Sequence, residues 1–506
     1  MTSSPSTPPP LPTTTKFVYG LGSLAYGIKD VAFRTYLLLY YNVVLGVPAT
    51  VVSSAIMVAM IVDAVSDPVV GQFSDHLKTK WGRRHPLMYA SAIPAAISFL
   101  FLWFPPEGLG NGQMFLYLVL VSSAVRTFIT LYEIPSSALA PELATGYDDR
   151  TSIASFRYFF GYIGYFGMSF LALFFFFAET PEYPVGQLNP QGYILLGTLG
   201  AGIMFTTVMI STIGTHHRIP YLSAPPDTPR PGLFDTLRHM RTTFSHKGFL
   251  SILAFGMLKY TAIGVAAALV LYFYTFFFGL KSKELALLTI DGMLAALLAL
   301  WVAPYLSKTY GKKNAAIVLA IASVFFAAMP YVLRLTGLFW PNGHPMLLPT
   351  LFVIQCFYYT CGVASAVLVH AMIGDVVDEK ALETGKRSEG LFYAANSFMQ
   401  KSVSGLGVVV AGFLLTLAQF PDGARPGEVP QSAINTLVLL YVPTLAILYI
   451  LGASFLRHFK IDRAQHEANL EKLRVREAPL LAEEDEASAG VGVPPTRMPP
   501  APSPGE

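Results

Sequence analysis

"IVDAVSDPVVGQFSDHLKTKWGRRHP", residues 61–86, sets two carboxylates, Asp63 and Asp67, one helical turn apart. The run that leads into it, "VVSSAIMVAMIV" (51–62), carries no charge. An ionised side chain at the centre of a bilayer costs about 2.5–3.5 kcal/mol on insertion scales. A helix of this composition therefore needs a reason to hold two acids.

The rest of the chain shares the composition. Of 506 residues, 53% are apolar and 13% charged, where a soluble globular chain carries about 25% charge. Apolar segments recur at 17–45, 49–73, 87–105, 113–141, 152–178, 192–214, 247–278, 284–306, 313–337, 346–374, 389–419 and 432–457. Each has roughly the 20 residues that cross a bilayer core. In hydrocarbon every backbone polar group must be paired within the chain, so these segments are helices. The expected class is an all-α membrane protein with twelve spans, whose surroundings are a lipid bilayer.

Charge placement adds orientation. Lys and Arg gather in "SDHLKTKWGRRH", in the stretch 216–248 and in "SKTYGKKN", while "LGVPAT", "FPPEGLGNGQ" and "AETPEYPVGQLNPQ" have none. The positive-inside rule puts the first set in the cytoplasm, and an even number of spans then puts both termini there. A plasma membrane, in bacteria the inner one, is the expected location. The net charge of +3 is not collected on one soluble face, which gives no footing for nucleic acid. Cys356 and Cys361 share one apolar span and suggest neither a disulfide framework nor a metal site. The N-terminal "MTSSPSTPPPLPTTT" lacks the basic and apolar regions of a signal peptide.

The longest polar break falls at mid-chain. The expected organisation is a disordered tail (1–16), a six-helix half (17–214), a cytoplasmic loop (215–246), a second six-helix half (247–457) and a largely disordered cytoplasmic tail (458–506). The halves echo each other: "GQFSDHLKTKWGRR" matches "APYLSKTYGKKN", each with a Gly before two basic residues, and "APELATGYDDRTS" matches "GDVVDEKALETGKRSEG". Two similar six-helix halves related by an axis along the membrane normal are the major facilitator arrangement.

Charges inside the spans are Lys29, Asp30, Arg34, Asp63, Asp67, Arg126, Glu133 and Arg157, then Lys259, Asp291 and Lys401. At spacing i, i+4, Asp63 and Asp67 lie on one helix face about 5–6 Å apart. Such acids repel, so one holds a proton or a cation sits between them. A hard cation such as Na⁺ prefers several oxygens. Thr130 and Glu133, one turn apart, supply two more, and Pro68 frees a backbone carbonyl. Lys401 neutralises the pair when the cation is absent. Buried salt bridges that only fix helix register are the weaker reading, because this spacing adds repulsion. Arg34 and Arg126 suit snorkelling or helix bridging as well as a functional role; Asp291, read as near a helix end, is assigned to structure. Asp75, Arg83 and Arg84 are expected to gate, the arginines gripping acids of the opposite half, with Arg150, Asp375, Asp378 and Arg387 as matching pieces. No phosphate-binding loop, HExxH or Gly-x-Ser-x-Gly occurs, so an enzyme is not expected; "GLGSLAYG" reads as helix packing.

"DAVSDPVVGQFSD…WGRRHP", "YEIPSSALAPELATGYDDRT…FRYFFGYIG" and "DVVDEKALETGKRSEGLFYAANSFMQK" together resemble the glycoside–pentoside–hexuronide:cation symporter family, which includes the melibiose permeases and has lysophospholipid importers as relatives. The resemblance runs from about 17 to 457. It implies a twelve-helix carrier that couples Na⁺ or H⁺ to uptake of a small solute, a sugar or glycoside, by alternating access; an anionic amphiphile is the alternative cargo. It implies no cofactor beyond the coupling ion, and a monomer. By resemblance, Asp63, Asp67, Thr130 and Lys401 are cation-site residues. Asp30 and Glu133 are the acids that grip sugar hydroxyls, with Lys29 and Arg157 as basic partners. Two positions depart: Glu133 replaces an aspartate, and Ser137 stands where the permeases stack a tryptophan.

Overall fold

The computed structural model describes residues 11–144, 147–222, 247–384, 389–425, 427–461 and a few more as far as 472. Among them, nine helices are long and apolar enough to cross a membrane, and His85–Phe101 and Gly405–Leu417 are shorter apolar helices. In chain order, α1 is a run of consecutive helical segments from Thr13–Leu21 to Tyr40–Val44. It is followed by α2 (Ala49–Asp75), α3 (His85–Phe101), α4 (Asn111–Leu143), α5 (from Tyr147–Tyr162 through Ala172–Phe176) and α6 (Pro190–His216). Then come α7 (Lys247–Tyr272, continued by Phe273–Phe277), α8 (Ser282–Tyr310), α9 (Lys312–Leu335), α10 (Leu347–Thr384), α11 (Glu389–Leu417) and α12 (Gln431–Leu456). Each expected span has a helical counterpart. Several outrun the apolar stretch by one or two turns, because a helix that leaves lipid keeps its own hydrogen bonds in water.

Packing repeats with an offset of six. In the first set α1 packs on α5 and α6, α2 on α4, and α3 on α4 and α6. In the second α7 packs on α11 and α12, α8 on α10, and α9 on α10 and α12. The sets meet where α2 lies along α11, α1 along α7 and α5 along α8. Along α2 and α11 the backbones come close: a Cβ on Gly412 would stand 2.2 Å from Ser53 Oγ, and one on Gly405 2.5 Å from Met60 Sδ. Without an oily driving force between helices in lipid, such small-residue contacts supply much of the packing.

Two ends are defined by this topology. At the proximal end, where α1 begins and α12 ends, each set carries its own clasp. Gly82 and Gly311 both take positive φ (73° and 75°), which glycine alone adopts without strain. Each turn delivers a base to an acid near the end of the neighbouring helix: Arg83 Nη2 to Glu142 Oε1 at 2.7 Å, and Lys312 Nζ to Asp375 Oδ1 at 2.5 Å. Arg84 adds bonds to Glu142 (3.1 Å) and Asp75 (2.5 Å). The expectation that Arg83 and Arg84 reach the opposite half is therefore corrected. The α2–α3 turn folds back under α4, and both arginines are consumed within the first set.

At the distal end the two sets are tied directly. Asn42 Nδ2 donates to Asp422 Oδ1 (2.6 Å), Tyr272 Oη donates to Asn42 Oδ1 (2.9 Å), and the Gly423 amide donates to the Asn42 carbonyl (3.0 Å). Gln187 donates to Thr275 Oγ1 and to the Leu280 carbonyl, both at 3.0 Å, and accepts from Ser282 Oγ at 2.6 Å. Asn42 and Gln187 are 1% and 0% exposed. Amides buried this deeply must be hydrogen-bonded, and apart from the Asn42 bond to the Val47 carbonyl (2.9 Å) these partners are on the other set of helices.

Candidate functional site

The in-span charges of the first set converge between α1, α2, α4 and α5. Asp63 is buried and meets Arg126 across the α2–α4 contact, Nη2 to Oδ2 at 2.7 Å. Arg126 also lies over the Phe33 ring at 5.2 Å. The second acid is not held in the same way. Asp67 is half-buried, and its Oδ1 stands 2.8 Å from Thr130 Oγ1, which is also 3.0 Å from Asp63 Oδ1. Thr130 thus bridges the two carboxylates. Its hydroxyl has one hydrogen and can donate to one of them at a time. The other close oxygen then faces the hydroxyl's lone pairs, an arrangement that a proton or a metal ion bound there would relieve.

Next to this pair lies a second cluster. Lys29 Nζ is 3.4 Å from Asp30 Oδ1 and 3.5 Å from Glu133 Oε2, and Arg34 reaches Asp30 Oδ2 at 3.6 Å. Arg157 on α5 donates to Tyr26 Oη at 2.9 Å and to Ser137 Oγ, which itself donates to the Glu133 carbonyl at 2.6 Å. Ser137 is thereby part of the charged network. Asp30 and Arg34 side chains are 38% and 39% exposed, against 6% for Lys29 and 16% for Glu133. The outer rim of the cluster is accessible and the inner part is not.

The sequence reading groups Asp63, Asp67, Thr130 and Glu133, and likewise Lys29, Asp30, Glu133, Arg157 and Ser137; the structure joins Asp63, Asp67 and Thr130 across α2 and α4, and sets Glu133 one turn further along α4 with Lys29 of α1, while Ser137 of α4 meets Arg157 of α5. It adds Arg126 as the partner of Asp63. The sequence signal was present, an arginine one turn before Thr130, but the charge alone did not name its acid. Glu142 as the clasp acid also went unnamed, as did Asn42 and Gln187, because uncharged amides give no hydropathy alarm. Lys401 lies on α11 four residues before Gly405, so the α2–α11 register places its backbone level with the Asp63–Asp67 turn. Its side chain and that of Arg150 lie outside the described residues, as does Arg387 entirely. Asp378 follows Asp375 near the proximal end of α10. In the second set, Lys259 donates to the Gly362 carbonyl at 3.0 Å. Trp301 is 80% exposed on the outer face and is no candidate for a binding wall. Asp291, read as near a helix end, lies well inside α8 and is 2% exposed.

Among the described residues no group of three or more His, Cys, Asp or Glu is placed to hold a metal ion. A transition-metal centre has no ligand set there; a hard monovalent cation would use carboxylate and hydroxyl oxygens.

Charged groups turned inward, apolar faces turned out and two matching helix sets tied at one end define a membrane transporter. The chain belongs to the MFS/sugar transport protein family, whose pattern matches residues 18–463. It is 27% identical to an uncharacterised symporter of Synechocystis sp., over 92% of this chain and 97% of that one. It is 24% identical to the isoprimeverose transporter of Lactiplantibacillus pentosus, over 93% and 94%. The sodium-dependent lysophosphatidylcholine symporter 1 of Gallus gallus is 23% identical, over 92% and 89%. Among solved structures, the inward-open xylose transporter XylE from E. coli shares the fold, with TM-score 0.61, 12% identity, and 91% and 99% coverage.

Proposed function

We propose that this integral membrane transporter is a symporter in which Na⁺ (or H⁺) binds at Asp63, Asp67 and Thr130 and travels inward with a sugar or glycoside. The observation that carries the reading is the Thr130 bridge, which gathers the Asp63 and Asp67 carboxylates around one hydroxyl. A cation there removes the repulsion and fixes α2 against α4. Glu133 lies one turn along α4 from Thr130, so the same event sets Glu133, and through it Lys29, Asp30, Ser137 and Arg157, for the cargo. Lys401 supplies a positive charge to the pair when the cation leaves. Carboxylates and guanidinium groups suit sugar hydroxyls, which both donate and accept.

In this reading the halves 17–214 and 247–457 rock about the site. The termini are cytoplasmic, the distal tie closes the outer face, and the open end faces inward. The proximal clasps, with Asp75, Arg150, Asp378 and Arg387 near them, stiffen each half at its gating edge. The chain works as a monomer in a plasma membrane, the inner one in bacteria. One positive charge moving through 100 mV contributes about 2.3 kcal/mol and a tenfold ion gradient about 1.4 kcal/mol. Together these sustain roughly a few-hundred-fold accumulation of cargo.

One observation favours a second cargo. Arg34 stands open at the rim beside Asp30, placed for the anionic head of an amphiphile, and a sodium-dependent lysophosphatidylcholine symporter is among the relatives. Proteoliposomes holding purified protein, given an inward Na⁺ or H⁺ gradient, separate the cases. Isoprimeverose uptake driven by either gradient and lost in Asp67→Asn supports the sugar reading; lysophosphatidylcholine uptake with the same dependence supports the second. Uptake of either that is indifferent to both gradients, or unchanged in Asp67→Asn, overturns the cation assignment.

A further inference from the structure

The second helix set holds an acid that the mechanism above does not use. Asp291 is 2% exposed on α8, the helix that corresponds to α2 under the offset of six. None of the ion pairs among the described residues includes it. Besides the Gly292 backbone amide, the groups that feel its charge are Tyr274 from α7 and Cys356 and Tyr359 from α10. From α5, Phe166 abuts the neighbouring Gly292. Among the described residues none of these groups is basic.

The repeat shows what is missing. Sixteen residues before the clasp acid Glu142, α4 carries Arg126, the partner of Asp63; sixteen before the clasp acid Asp375, α10 carries Tyr359. The second set keeps an acid on the α8–α10 contact and replaces the guanidinium by a phenol, which cannot neutralise it. A buried carboxylate without positive charge is expensive. Two more oxygens nearby on α10, Gln355 Oε1 and Thr360 Oγ1, have no nitrogen or oxygen hydrogen-bond partner among the described residues, Thr360 standing beside the Cys356 thiol, and both residues are 6% exposed. They flank Cys356 and Tyr359, the α10 residues that face Asp291. Buried oxygens left unsatisfied in this way point to an ion or a water that completes them.

We propose a second Na⁺ site between α8 and α10, made by the Asp291 carboxylate with oxygens of Gln355, Tyr359 and Thr360. Hard cations take all-oxygen sets of this kind, and the ion would supply the charge that Arg126 supplies to Asp63. The site lies against α5 through Gly292 and Phe166, so its filling bears on the junction between the halves. It stands independently of which cargo is carried.

Equilibrium binding of ²²Na⁺ to the purified full-length protein, without cargo, tests it. Wild type is expected to hold about two Na⁺ and Asp291→Asn about one. Thr360→Val, which keeps the carboxylate, is expected to weaken one of the two sites about tenfold; it covers the case in which Asp291→Asn does not fold. Bound Na⁺ that is lost wholly in Asp67→Asn, or either variant binding as wild type does, overturns the proposal and assigns the α10 oxygens to water. A single Na⁺ lost in Asp67→Asn would do so while leaving the coupling role of Asp63 and Asp67 intact.

Discussion

Replacing Asn42 by leucine removes the side chain at the centre of the distal tie. Two bonds between the helix sets go with it: the donation to Asp422, and the acceptance from Tyr272. A net bond to a charged group is worth about 1.5–3 kcal/mol and a neutral one about 0.5–1.5 kcal/mol, so the tie loses about 3 kcal/mol. Neither partner across the tie is stranded: Asp422 is exposed, and Tyr272 Oη keeps the Leu38 carbonyl at 3.3 Å; the bond to the Val47 carbonyl (2.9 Å), also lost, lies within the first set. The loss therefore falls on the balance between distal-closed and distal-open states, and at about 1.4 kcal/mol per decade it raises the open-to-closed ratio roughly a hundredfold. Spin labels on Glu182→Cys and Glu428→Cys, exposed distal positions on opposite sets, read this by pulsed dipolar spectroscopy, with Cys356 and Cys361 replaced by serine. A new long-distance population is the expected result. An unchanged distance distribution in a folded Asn42→Leu protein would refute the argument that this amide closes the distal end.

Arg126→Met removes the guanidinium partner of the buried Asp63 and should cost about 3–5 kcal/mol, read as a large fall in the melting temperature of the detergent-solubilised protein; adding Asp63→Asn should recover much of it, whereas additive losses would deny the pairing. Gly412→Leu drives a side chain into Ser53 and should separate α2 from α11, abolishing transport although the chain still inserts; normal uptake would show that the close crossing is dispensable. Glu142→Gln weakens the first clasp, whose members are largely buried, and should lower stability by about 1–3 kcal/mol without changing the cation activation constant of uptake; a shifted constant would place the clasp within the cation site.

The fold was legible because lipid imposes a single rule on each span, and apolar length reports it directly. Helix ends match the apolar limits to within one or two turns except in α10, which runs to Thr384, since "GDVVDEKALET" continues a helix in water that hydropathy cannot see. The site was legible where charge stood in apolar surroundings, as at Asp63, Asp67 and Glu133. Pairing was less so: Arg83 and Arg84 were sent to the wrong half because a basic loop has no address in sequence, and the address came from a glycine turn. Asp291 was misjudged for a related reason, since depth within a helix is hidden when its start is uncertain by a turn. Asn42 and Gln187 left no trace, because their importance lies in partners more than 80 residues away along the chain.

The twin proximal clasps bear on how this machine moves. Each rivets a turn to a helix of its own half, so neither has to break when the halves separate or meet at that end. Each half then swings as a stiff jaw, and the energetic burden of the cycle falls on hinge-side contacts that are remade with each stroke. A carrier built in this way keeps its jaws in shape during the stroke, and cargo released on one side leaves behind a binding surface already formed for the return.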